Sequence, residues 1–72
     1  MMTVGQQLRK TRMFLGITQE EMTKGIIATS FYSRVERDKA DININDLILI
    51  LNKNHVSLRD FLKSLTEILI KK

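Results

Sequence analysis

The sequence predicts a small all-α domain of five helices organised around a helix-turn-helix. Three observations carry that expectation. The chain has no proline and only three glycines, at positions 5, 16 and 25, so little interrupts a helix. Its apolar residues recur at intervals of three and four, the period of a helix with one buried face. Thr18-Gln19-Glu20-Glu21 has the pattern of a capping box, in which a threonine and an acidic residue three positions on satisfy free backbone N–H groups at a helix start.

The elements can be justified in order. A first helix is expected over about residues 3–15, with Thr3 at its start and Val4, Leu8 and Thr11 facing inward. Gly16 ends it, because glycine accepts the left-handed turn that closes a helix. A second helix follows from Gln19 to about Lys24, and Gly25 separates it from a third over about residues 29–37, where Tyr32 and Val35 face the core. Phe31, next to Tyr32, must point elsewhere, toward the second or fourth helix. Residues 41–45 form a polar joint. A fourth helix spans about residues 44–53, with Leu47, Ile50 and Leu51 inward, and Asn54-His55 is a loop. Ser57 caps a fifth helix over about residues 57–71, with acidic Asp60 three positions on and Leu58, Phe61, Leu62, Leu65 and Leu69 on one stripe.

Size and composition narrow the function. With 72 residues the chain is one domain, residues 1–72. It has no cysteine, so neither a disulfide framework nor a thiolate metal site is available. No apolar run reaches the roughly 18 residues of a membrane span. No charged segment precedes a long apolar one at the start, so a cytoplasmic location is expected. His55 is the only histidine, whereas a metal site needs several ligands. No nucleophile–base set and no phosphate loop is visible, so no enzymatic activity, cofactor or metal is expected. The net charge of +4 suits a polyanionic partner. Residues 18–37 have the layout of a helix-turn-helix, which sets its second helix in the major groove of duplex DNA.

Several segments resemble the Cro/phage-repressor (XRE) helix-turn-helix family. They are Leu8-Arg9-Lys10-Thr11-Arg12, Gly16-Ile17-Thr18-Gln19-Glu20-Glu21-Met22, Ser33-Arg34-Val35-Glu36-Arg37 and Val56-Ser57-Leu58-Arg59-Asp60-Phe61. The resemblance covers about residues 4–62 and implies a lambda-repressor-like fold. Most members of that family have one more residue between the second and third helices. The shortened Gly25-Ile26-Ile27 turn followed by Ser30-Phe31, with Leu47-Ile48-Leu49-Ile50-Leu51-Asn52 in the fourth helix, is similar to the Rgg/MutR group of transcriptional regulators. That group carries a long C-terminal peptide-binding domain. Its absence from these 72 residues implies a DNA-binding fragment, a stand-alone protein or a truncated gene.

Site residues follow from the layout and the resemblance. Thr29 and Ser30 open the third helix, where side chains meet base edges, and both can donate and accept hydrogen bonds. Either could instead serve as an N-cap. Many Rgg-type relatives have arginine where Thr29 stands. Arg34, four and five positions on, shares nearly the same face. It can pair bidentately with guanine or make only an exposed salt bridge. The resemblance implies that Gln19 bonds a DNA phosphate and braces the third helix; by itself it is a good helix former beside a cap. Lys10, Arg37 and Lys39 are further phosphate candidates, or simply a solvated face. The resemblance also pairs Glu36 with Arg12. Asn43 and Asn45 lie near the DNA backbone path in this fold, and Asn43 could equally be a cap.

Met13, Phe14 and Leu15 cannot all face one small core, and Ile68 and Ile70 extend the apolar surface of the fifth helix. Such surface suggests a partner, and a symmetric homodimer would match two DNA half-sites. A loosely packed core or contacts to a missing domain are the alternatives. The competing function is a protein-interaction or antirepressor module without specific DNA binding.

Overall fold

The computed structural model describes residues 2–70, with side chains to residue 66. Five helices follow one another: α1 (Val4–Leu15), α2 (Gln19–Thr23), α3 (Thr29–Glu36), α4 (Ile44–Lys53) and α5 (Leu58–Ile70). No strand occurs among the described residues, so the chain is the all-α domain that its periodicity predicts. No helix among them is long and apolar enough to cross a membrane.

Local chemistry sets most helix ends. Thr3 Oγ1 accepts from the Gln6 N–H at 3.1 Å, and Gln6 Oε1 accepts from the Thr3 N–H at 3.0 Å. Thr18 and Glu21 make the same reciprocal pair at 3.0 and 2.8 Å. Gly16 takes φ 72° and donates its N–H to Arg12 and Met13 carbonyls, closing α1. Asn43 caps α4, accepting from the Asp46 N–H at 2.8 Å. Ser57 Oγ accepts from the Asp60 N–H at 3.3 Å. α2 ends one residue before Lys24, which leaves the helical region at ψ 127°.

The principal helix contacts form a closed ring: α1 on α3, α3 on α2, α2 on α4, α4 on α5 and α5 on α1. Leu8, Met22, Tyr32, Val35, Leu47, Ile50, Leu51 and Phe61 fill its centre, so every helix contributes a core side chain. The stripe on α5 is narrower than expected. Phe61 is buried, but Leu62 is 41% exposed, because a helix resting on its i, i+3, i+7 positions leaves the flanking residue at the rim. Thr11, expected inward, is half-buried. Leu69 has its side chain outside the described residues.

α2 has only five residues and depends on neighbours. Lys53 Nζ donates to the Glu21 carbonyl at 2.6 Å, and Asn54 Nδ2 donates to the Met22 carbonyl at 3.0 Å. The end of α4 therefore satisfies carbonyls that α2 itself leaves open.

Candidate nucleic-acid interface

α3 is held in place from two sides. Arg12 of α1 donates to both oxygens of Glu36, Nε to Oε2 at 2.8 Å and Nη2 to Oε1 at 3.1 Å. Its Nη1 reaches the Ile17 carbonyl at 3.0 Å, which also ties the link into α2. Gln19, at the start of α2, donates from Nε2 to Glu36 Oε1 at 3.1 Å. One carboxylate thus joins α1, α2 and α3. Burial alone would raise the Glu36 carboxyl, but its charged and polar neighbours, Arg12 first among them, hold it below the ordinary range. The same contact raises Arg12 further. Burial pushes the Tyr32 phenol well up, and the nearby Glu36 charge adds to that. The Tyr32 hydroxyl makes no hydrogen bond of ordinary geometry.

The third helix presents its start to solvent. Its N-cap is Ala28, which has no side chain able to cap. Thr29 and Ser30 are therefore not caps: they are the first two helical residues, and both are exposed. The helix starts one position earlier than a capping hydroxyl would need, so both hydroxyls stay outside the cap. Arg34 is exposed four residues after Ser30. Phe31 is half-buried and packs against the core.

Beside α3, a shallow groove is lined by Lys10 and Arg12 of α1, by Gln19, and by Arg37 at the end of α3. The structure brings these four together, with the Arg12 charge already matched by Glu36. Arg37 Nε donates to the Ser33 carbonyl at 3.3 Å, leaving the rest of its guanidinium outward. Gln19 uses one amide N–H on Glu36 and keeps a second. Lys39 is exposed but lies outside this groove, and Asn43 is committed to its cap.

The expected apolar surface divides in two. Met13, 60% exposed, lines the α1–α3 groove, whereas Phe14 and Leu15 line another between α1 and α5. The side chains of Ile68 and Ile70 lie outside the described residues. His55 sits in a left-handed loop conformation at φ 59°, and no group of three metal-ligating side chains occurs among the described residues.

Two structural residues were missed by the sequence reading. A Cβ on Gly5 would collide with the Val35 carbonyl oxygen and lie 2.8 Å from Asp38 Oδ1, so Gly5 is where α1 and α3 approach. Asp38 adopts φ 61° after α3, and its Oδ1 accepts from Thr3 Oγ1 at 2.7 Å. A glycine inside a helical pattern is itself a hint of close approach; the Asp38 clasp, between positions 35 residues apart, has no local signal. No known protein family, curated protein or solved structure matches the chain significantly.

Proposed function

We propose that this chain binds duplex DNA sequence-specifically and acts as a transcription regulator of the XRE kind, most similar to Rgg/MutR regulators. The observation that carries this reading is the exposed face of α3. Thr29, Ser30 and Arg34 stand free of structural duties on a helix whose first turn lacks a side-chain cap. Such a helix start presents free N–H groups and positive dipole toward phosphate. Thr29, Ser30 and Arg34 read base edges. Gln19, Lys10, Arg37 and Lys39 fix the register on phosphates. Arg12 and Glu36 hold α3 at its angle. This role needs no cofactor and belongs in the cytoplasm.

The test is selection of duplexes from a random pool by the purified chain at near-physiological salt, repeated with Arg34→Ala. Enrichment of one sequence by the wild type, lost in the variant, is the expected result. Failure of the wild type to bind any duplex would favour the competing reading, a protein-interaction module, for which the exposed Phe14 is the supporting observation.

A further inference from the structure

α2 is the shortest helix of the fold, and it carries Gln19, whose side-chain amide gives one N–H to Glu36 and keeps the other. Met22 lies three positions on, about 4.5 Å along the helix axis. Between these ends the turn is tied internally. Thr23, fully buried, donates from Oγ1 to the Gln19 carbonyl at 3.0 Å. At the far end the Asn54 Nδ2 donates to the Met22 carbonyl at 3.0 Å and to the Ile50 carbonyl of its own helix at 2.8 Å. One amide therefore closes α4 and holds α2. Asn54 is half-buried and lies outside the groove lined by Gln19 and Arg37, so it is no part of that surface.

We propose that Asn54 is a positioning residue for DNA binding: by holding the Met22 carbonyl it sets where the free Gln19 amide N–H meets phosphate. The inference rests on the reading of Gln19 as a phosphate contact. The last carbonyls of a helix have no intrahelical partner, and in a five-residue helix they make up most of the element, so their outside partners decide where it sits. Two side chains from α4 supply such partners, Lys53 to Glu21 and Asn54 to Met22. Lys53 reaches over from an exposed position on a long stem with much rotamer freedom, which constrains little. Asn54 is short and already held by Ile50, so its second N–H is aimed before it meets α2. With Thr23 binding the turn into one piece, a shift at Met22 is carried to Gln19.

The whole chain with Asn54→Ser or Asn54→Ala tests this. Serine can still bond the Ile50 carbonyl four positions back but is too short to reach Met22 as well; alanine loses both bonds. Thermal melting by circular dichroism sets a temperature at which every variant is folded. If the Met22 bond is the one that acts, the two variants should behave alike. Each should weaken binding to the duplex selected by the wild type roughly two- to tenfold, the range of one neutral hydrogen bond. Added to Gln19→Ala, Asn54→Ser should cost nothing more, because residues acting through one contact are not additive. Without DNA, the Gln19 side-chain amide signal in a proton–nitrogen correlation spectrum should shift in Asn54→Ser. An Asn54→Ser chain that binds as the wild type does, or a loss that simply adds to that of Gln19→Ala, would overturn the proposal. So would an unmoved Gln19 signal. A wild type that binds no duplex would defeat the proposed DNA binding itself, while the Gln19 signal would still report whether Asn54 places that side chain.

Discussion

Arg12 and Glu36 lie 24 residues apart and meet through two hydrogen bonds, at 2.8 and 3.1 Å, with the Glu36 side chain only 2% exposed. An acidic residue on a helix proposed to face DNA would be unfavourable if its charge were free. Here it is spent inside the protein. The guanidinium matches the carboxylate with two parallel N–H donors, the geometry in which arginine binds most specifically. Gln19 adds a third donor, so one carboxylate ties α3 to both α1 and α2.

Removing Arg12 should therefore cost more than an exposed ion pair. Breaking a buried pair leaves an unmatched charge, at about 3 kcal/mol toward the lower end of the usual range. A domain of this size holds on the order of 4–11 kcal/mol in all. Arg12→Ala should lower the melting midpoint by about 12–24 °C. Arg12→Met combined with Glu36→Met should lose less than Arg12→Met alone, since no buried charge remains. A midpoint unchanged in Arg12→Ala would show that the pair does not hold α3.

The same pair predicts an acid limit. The Glu36 carboxyl is lower in the folded chain than its ordinary value of 4.5, so the unfolded chain binds the proton more readily. Its contribution is fully present above about pH 4.5 and is lost as pH falls through the lower folded value. Glu21, lowered by its hydrogen bonds with Thr18, acts in the same direction. The informative measurement is thus the difference in melting midpoint between the wild type and Glu36→Gln. That gap should be constant from neutral pH to about 5 and narrow below it. A gap independent of pH would mean that the Glu36 charge is not what stabilises the fold.

The parts of this structure that sequence made legible are those decided within a few residues. Thr18 with Glu21, Gly16 after Leu15, and Asn43 before Ile44 each settle a helix end by local hydrogen bonding. Three successive apolar residues at the end of α1 foretold exposed surface there. Contacts between distant positions were not legible in the same way. The Arg12–Glu36 expectation came from a family resemblance, not from spacing, and the approach of Gly5 to Val35 gave only a lone glycine as its sign. The cap itself also escaped: α3 starts at Thr29 as its pattern suggests, but with Ala28 as the N-cap both possible capping hydroxyls are left free.

Gly5 should not tolerate even one methyl group. Alanine would favour the α1 helix by about 1 kcal/mol over glycine. Its Cβ would meet the Val35 backbone carbonyl, which cannot rotate away as a side chain could. Overpacking of this kind costs about 1–3 kcal/mol, so Gly5→Ala should be less stable than wild type despite its better propensity. Denaturant unfolding of the two chains checks this. A more stable variant would mean that α1 and α3 separate at little cost.

The charged residues of the proposed interface should separate into two kinds by their response to salt. A phosphate contact releases counterions whatever the sequence, so Arg37→Ala or Lys39→Ala should weaken binding to selected and unrelated duplexes alike. Each should also reduce the salt slope by about 1. Arg34 shares a face with Ser30 and lies outside the groove that holds Arg37. Its loss should remove about 1–3 kcal/mol of discrimination at one base pair while affecting unrelated duplexes less. Titrations of both duplexes across a salt series distinguish these outcomes. If Arg34→Ala lowered both affinities equally, Arg34 would be a phosphate contact, and base reading would rest on Thr29 and Ser30.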